Sequence, residues 1–297
     1  MNILIAGGTG FVGKTLSTSL QEQGYHVYIL TRTPNHFNNR ETVTYIPYNY
    51  PVENLPCFHA IINLAGDSLY GYWTKKKKET ILKSRILTTQ KLIDFMKQMD
   101  KKPNVFISSS AVGFYGTSEK LIFTEKTLKP GNDFLAHVVV EWEKTAQQAE
   151  NLGIRTVYTR FGVILGTDGG ALPIMKIPVK MFVGGKIGSG EQWISWIHIQ
   201  DAVNSIIFCI KNQDINGPVN VTAPRPLRNK EFMRVLTKAV KRPYWLPAPK
   251  PLVRLAIGEM SELITKGQYV LPQKIESHHF KFAYRKLTDA LNDIILS

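Results

Sequence analysis

The stretch Gly7-Gly8-Thr9-Gly10-Phe11-Val12-Gly13 carries the most specific chemical signal in the chain. Glycines at this spacing let the backbone turn sharply. They also let a pyrophosphate approach main-chain N–H groups at a helix N-terminus, where the dipole favours negative charge. A glycine pattern alone is weak evidence, but this one follows the apolar run Asn2-Ile3-Leu4-Ile5-Ala6 directly. It precedes a helical segment, Lys14 to Gln23, that stops at Gly24. In that context Gly7, Thr9, Gly10, Phe11, Val12 and Gly13 form a candidate dinucleotide cradle. A second strand, Tyr25 to Thr31, closes a βαβ unit and ends at Thr31-Arg32. An acidic residue at that place would bind ribose hydroxyls, whereas a guanidinium suits a ribose 2′-phosphate, and no carboxylate stands by to repel it.

Elements able to position these groups recur along the first half. Strand-like runs follow at Val43 to Ile46, Ala60 to Leu64, Asn104 to Ser108 and Ile154 to Phe161. Between them lie helical segments at about Trp73 to Met99 and Asp133 to Glu150. Six strands alternating with helices predict an α/β fold, a doubly wound parallel sheet of Rossmann type. From Gly162 onward glycines and prolines cluster around a short apolar segment near Ile174 to Val183, the texture of a loop-rich lobe over a ligand. A helix at Asp201 to Lys211, a strand at Gly217 to Thr222 and two or three further helices complete the reading.

Composition narrows the class. The chain has 297 residues, 43% of them hydrophobic and 20% charged, as in ordinary globular proteins. No apolar run reaches the roughly 18 residues of a membrane span. Met1 leads straight into a core strand without a signal-peptide pattern, and Cys57 and Cys209 read as buried thiols of a reducing cytoplasm. Neither metal-ligand spacing nor a Gly-x-Ser-x-Gly elbow is present. The net charge of +14 asks for anionic company. Its densest run, Lys75 to Lys78, reads as an exposed helix face without any nucleic-acid signature. His198 and Asp201 read as structural, with Asp201 capping the helix that begins there.

Several motifs occur together in a telling order: Gly7 to Gly13, Asn63-Leu64-Ala65-Gly66, Ser108-Ser109-Ser110, Arg160 to Gly166 and Trp196-Ile197-His198-Ile199-Gln200-Asp201. The chain thereby resembles the extended short-chain dehydrogenases/reductases. More narrowly it resembles the epimerase family of NADP-dependent oxidoreductases, through Trp73 with Ser84-Arg85, the Gly184 to Gln192 loop and Gly267-Gln268-Tyr269-Val270-Leu271-Pro272. The resemblance covers nearly the whole chain. It implies NADP as cofactor and three regions: an NADP-binding Rossmann core at 1–165, a substrate lobe with interleaved Rossmann elements at 166–245, and a mostly helical family-specific C-terminal extension at 246–297. It implies cofactor contacts at Leu64, Ala65, Gly66, Arg85 and Ile164, besides Thr31 and Arg32. It also implies a catalytic serine at Ser110, orienting the substrate oxygen, and a small carbonyl or sugar-like substrate.

One departure stands out. Relatives carry Tyr-x-x-x-Lys on the helix after the serine strand, the tyrosine as acid/base and the lysine lowering its pKa. Here that helix reads Asp-Phe-Leu-Ala-His-Val-Val-Val-Glu-Trp-Glu-Lys, without a tyrosine, and Lys144 lies too far along. Tyr115 is the nearest replacement proton donor, and Gly184 to Gln192 is expected to close over the substrate. Two other classes stay open: an NADP(H)-binding sensor or assembly and cell-division-related factor without turnover, and a protein drawn by its positive field to RNA or a membrane surface. A homodimer stays open as the assembly. Specific nucleic-acid binding and a membrane span are not expected.

Overall fold

The computed structural model describes residues 1–296. The first half alternates β1 (Asn2–Ala6), α1 (Phe11–Glu22), β2 (His26–Leu30), β3 (Val43–Ile46), β4 (Phe58–Asn63), α2 (Lys75–Gln98) and β5 (Val105–Ala111). A two-residue strand β6 (Ile122–Phe123) precedes α3 (Phe134–Gln147), β7 (Arg155–Phe161) and β8 (Val163–Leu165). Then come α4 (Leu172–Lys180), β9 (Trp193–Ile194), β10 (Trp196–His198), α5 (Ile199–Lys211), β11 (Gly217–Val221), β12 (Leu227–Arg228) and α6 (Asn229–Ala239). The chain ends through α7 (Lys250–Ile257), α8 (Glu262–Thr265), β13 (Tyr269–Val270), α9 (Gln273–Ser277) and α10 (Leu287–Leu296).

Seven strands form one sheet in the order β3-β2-β1-β4-β5-β7-β11, every neighbouring pair parallel. The six strands expected of the first half are all in it, and β11 joins as the seventh beside β7. Alternation sorts the side chains: Ile3 and Ile5 of β1 enter one core, with Leu16 and Leu20 of α1 and Val203 and Ile206 of α5. Leu4 and Ala6 enter the other, with Leu92 and Met96 of α2 and Ala146 of α3. Burial on both faces is why β1 reads as an unbroken apolar run. The chain leaves β1 for β2 on one side and returns to β4 on the other, so the carboxyl ends of β1 and β4 flank the switch point where α/β sheets bind ligands.

The second half builds another core around fully buried Trp196, with Leu172 of α4, Phe232 of α6 and Leu291 of α10. It sends α5 and β11 back to the sheet. Among the described residues, five helices rather than two or three follow β12, because short turns such as α8 and α9 have no apolar period to read. Cys209 is buried as expected, its thiol pushed up to about 12 by burial, but Cys57 is exposed. It lies in the Pro56-Cys57 connection just ahead of β4, where the apolar neighbours turn inward and the thiol does not. The cap of α5 also differs from expectation. His198 Nδ1 accepts from Gln200 N at 3.1 Å, while the Asp201 carboxylate accepts from Ala283 N and Tyr284 N at 2.8 and 2.9 Å. Asp201 therefore ties the C-terminal segment to α5, which packs on the sheet. Among the described residues no helix is long and apolar enough to cross a membrane, and no cluster of His, Cys, Asp and Glu could hold a metal.

Candidate functional site

The glycine turn sits at the switch point. Gly7 adopts φ +81°, a left-handed conformation, and a Cβ there would lie 2.7 Å from the Leu64 carbonyl carbon, so the tips of β1 and β4 meet through backbone alone. Gly10 N donates to Gly7 O at 3.0 Å and closes the turn. At Gly13 a Cβ would stand 2.2 Å from Gly7 O, so only glycine lets α1 pack this close to the strand end. The helix starts at Phe11 with Gly10 as its cap, and no side chain takes its first-turn amides. Those N–H groups and the positive dipole end suit an anion. The backbone cradle thus fits a nucleotide diphosphate.

A cavity of about 630 Å³ opens from this turn, bounded by Gly7, Thr9 and Gly10, by Thr31 and Arg32, and by Leu64, Ala65 and Gly66. Its outer wall is the exposed side of α2, including Ser84, Thr88 and Lys91. A neighbouring cavity of about 710 Å³ shares Thr31, Arg32, Tyr48 and Lys91. Lys91, which sequence reasoning missed, is thereby a second cation beside Arg32; its ammonium lies 5.8 Å from the Tyr48 ring. Burial raises the Tyr48 hydroxyl above the ordinary tyrosine range, and the Arg32 charge opposes that. Asp67, which also faces the first cavity, is paired with Lys77 at 2.5 Å.

Other expected cofactor residues stand behind this surface. The Phe11 ring fills the space where a Cβ on Gly166 or Gly169 would sit, 2.5 Å away in each case. Val12 packs into the core, as does Ile164, whose carbonyl accepts from Ala171 N. Phe11, Val12 and Gly13 therefore face the cradle with backbone. Arg85 lies under the β4 turn: it donates to Asp67 O at 3.1 Å and Ile81 O at 3.0 Å, and its guanidinium sits 5.1 Å from the Trp142 ring. Burial, partly opposed by Asp67, pulls its pKa down to about 10. The same turn is held by a network the sequence did not reveal. Asn63 accepts from Ala65 N and donates to Thr89 at 2.8 Å, and Trp142 Nε1 donates to the same hydroxyl at 3.0 Å.

Ser110 and Tyr115 belong to one buried chain of hydrogen bonds. Ser110 Oγ donates to Glu143 Oε1 at 2.5 Å. Arg160 Nε and Nη2 grip both oxygens of Glu143, at 2.8 and 2.7 Å. Arg160 Nη1 donates to the Tyr115 hydroxyl at 3.0 Å, and that hydroxyl donates to Asn220 Oδ1 at 2.7 Å. Burial works against the Arg160 charge, but Glu143 outweighs it and holds the guanidinium above its ordinary pKa. Burial likewise raises the Tyr115 phenol, with Arg160 opposing. The ring is only 4% exposed and stacks on Phe123. Its hydroxyl donates to the fully buried Asn220 amide and accepts from Arg160, so both of these hydrogen bonds run inward. Glu143, at the carboxyl side of the tyrosine-free helix, is the titratable group in contact with Ser110. The Gly184 to Gln192 loop is held in place: Gly188 N donates to Ala248 O and Trp245 N to Gly184 O, both at 2.8 Å.

Comparison with known proteins agrees with this geometry. The model of the NAD dependent epimerase/dehydratase family matches residues 3–222, and a domain of unknown function (DUF1731) matches residues 248–294. An epimerase family protein of Bacillus subtilis (strain 168) is 46% identical over 303 residues, covering 99% of this chain and 98% of its own length. A Staphylococcus aureus (strain N315) epimerase family protein is 41% identical, with 98% of each covered. Among solved structures, the human epimerase family protein SDR39U1 (isoform 2), crystallised with NADPH, superposes with a TM-score of 0.90 at 29% identity, covering 100% of this chain and 99% of that one. The UDP-glucuronic acid 4-epimerase of Bacillus cereus, at 17% identity and a TM-score of 0.76, shares the fold.

Proposed function

The chain belongs to the NAD dependent epimerase/dehydratase family, and on that premise we propose that it is an NADP-dependent oxidoreductase or epimerase acting on a small carbonyl or sugar-like substrate. The observation that carries this reading is the glycine-rich turn at the switch point with Arg32 and Lys91 flanking the adjoining cavity. The amides of Phe11, Val12 and Gly13 would hold the pyrophosphate, Arg32 and Lys91 the 2′-phosphate, and the Leu64-Ala65-Gly66 turn the neighbouring ribose. That the human relative was crystallised with NADPH supports the same choice. The cofactor, when bound, gives or takes hydride at carbon.

The chain's own residues would handle the proton. A hydroxyl that donates to a carboxylate keeps its lone pairs free to accept. Ser110 would accept the O–H of a substrate carbinol while its own proton passes to Glu143, and the reverse would protonate a carbonyl undergoing reduction. Arg160 fixes the carboxylate, and Tyr115 and Asn220 fix Arg160. The domain division at about 165 and 245 follows the same logic, with cradle, substrate lobe and extension as successive regions.

A second reading, cofactor binding without turnover, is favoured by one observation: every hydrogen bond named for Ser110 and Tyr115 runs into the interior. The test is titration of the purified protein with NADPH and NADH, followed by NADPH consumption across a panel of aldehydes, ketones and keto-sugars. Turnover that disappears in Ser110→Ala while NADPH affinity holds supports the enzyme. Tight NADPH binding with no turnover on any substrate supports the sensor, and absence of binding to either coenzyme refutes both.

A further inference from the structure

The positive charge of this chain is not spread evenly. Residues 169–190 contain three lysines, residues 232–258 contain six Lys or Arg, and neither segment contains a single Asp or Glu. They supply nine of the fourteen excess positive charges. The two segments are also joined in space. Trp245 Nε1 donates to Phe182 O at 2.9 Å, Ile187 pairs with Ala248, and the Arg242 guanidinium lies 4.8 Å from the Phe182 ring.

These two segments also gather exposed apolar side chains. Ile174 and Ile177 on α4 and Met181 at its C-cap follow at helical spacing, and all three are exposed. Phe182 is 53% exposed and held at φ +62°, a conformation that bulky residues rarely adopt, and Trp245 beside it is 65% exposed. None of the eight residues of α7 is buried; Leu252 and Leu255, one turn apart, are 62% and 80% exposed on the helix that also carries Lys250 and Arg254. A strained, protruding aromatic and an uncovered helix are costly in water unless something apolar meets them.

We propose that α4, the Met181-Phe182-Val183 turn, Trp245 and α7 form a docking surface for an anionic lipid bilayer. Apolar side chains interleaved with Lys and Arg and free of acid match the headgroup boundary of such a membrane, where cations meet lipid phosphate and short apolar chains enter the acyl layer. Nucleic acid would use the cations but leave Met181, Leu252 and Leu255 in water. Contact is peripheral, consistent with the lack of a spanning helix among the described residues. No residue of this surface lines either cavity beside the cradle, so docking and coenzyme binding can be tested separately.

The test is co-sedimentation of the full chain with vesicles of phosphatidylcholine alone or containing phosphatidylglycerol, at low and moderate salt, beside a single-stranded RNA titration. Binding to the anionic vesicles only, weakened at least tenfold in Leu252→Ser/Leu255→Ser and in Lys176→Glu/Lys180→Glu, is the expected result. NADPH affinity unchanged in both variants shows that they are folded and keeps this outcome separate from the coenzyme reading. No vesicle binding by the wild-type protein overturns the proposal. So does vesicle binding that the serine variant retains in full, or RNA binding at least as tight as vesicle binding. A homodimer that the serine variant converts to monomers, without vesicle binding, assigns the face to a second copy and also overturns it.

Discussion

Replacing Gly13 by alanine isolates the cradle. The added methyl would stand 2.2 Å from Gly7 O and 2.6 Å from Gly8 Cα, against ordinary contact at 3.4 Å and beyond, and both obstacles are backbone. The start of α1 must therefore retreat by roughly 1 Å, comparable with the difference between a good hydrogen bond and none. Amides aimed at a pyrophosphate each contribute about 1.5–3 kcal/mol when the partner is charged, so losing one or two predicts NADPH affinity down by about 100-fold. Overpacking by itself costs about 1–3 kcal/mol of stability, so the variant must be compared with one that is strained elsewhere. Gly24 supplies it: φ is +80°, nothing lies within 4 Å of its would-be Cβ, and it follows the end of α1 opposite the cradle. Gly24→Ala should lower the melting temperature and leave NADPH affinity within about twofold. Fluorescence titration with NADPH alongside thermal melts reads both quantities. If Gly13→Ala binds NADPH as the wild type does, or if Gly24→Ala loses as much affinity, the turn does not grip the pyrophosphate.

Arg32→Ala should weaken NADPH by about 10- to 100-fold at low salt and NADH by less than about threefold, since only one of them carries the 2′-phosphate. Lys91→Gln should do the same to a smaller degree, and equal losses for both coenzymes in calorimetry would remove the assignment. Glu143→Ala leaves the Arg160 guanidinium, 4% exposed, without its carboxylate, and should destabilise by about 3 kcal/mol or more in urea melts; a loss below about 1 kcal/mol contradicts a buried pair. His198 is held below its usual pKa of 6.5 by burial, against the pull of Asp293 and Asp201. The unfolded chain therefore binds the extra proton as pH falls through 6.5, and stability declines from there until the folded pKa is passed, then levels. A melting temperature that rises from about pH 5 to 7, with a shallower slope in His198→Asn, is expected, and an identical slope refutes it. In native protein a thiol reagent should titrate Cys57 alone, with Cys209 reacting only after denaturant is added.

The sheet was legible because its signal is local. Continuous apolar runs ending in polar or glycine-rich tips gave β1, β2, β4, β5 and β7 to within a few residues, and the glycine turn does follow β1 at the switch point. What stayed hidden depends on chain reversal. Lys91 sits 59 residues after Arg32, and only the packing of α2 across the β4 turn brings it to the same cavity. No periodicity could have found it, although its position on the exposed face of α2 was a usable signal. That His198 rather than Asp201 caps α5 was hidden for the same reason, since the amides that Asp201 accepts from are 82 and 83 residues away.

The tyrosine-free helix leaves the proton path to be read from the hydrogen bonds around it. Absence of Tyr-x-x-x-Lys directs attention to another tyrosine, and Tyr115 is near in sequence. Its surroundings direct its proton inward, however, because Arg160 needs a brace at each end and finds it in Glu143 and Tyr115. Of the two acids on that helix, Glu143 is the informative one. Glu143 faces Ser110 on one side and a guanidinium on the other, an arrangement that couples a hydroxyl at the strand end to a charge pair beneath it. If that coupling moves protons, Glu143→Gln should abolish turnover while keeping Ser110 hydrogen-bonded and NADPH bound, and Tyr115→Phe should reduce turnover only modestly, through looser placement of Arg160. A Tyr115→Phe variant that is dead with its melting temperature intact would return the proton-donor role to the phenol.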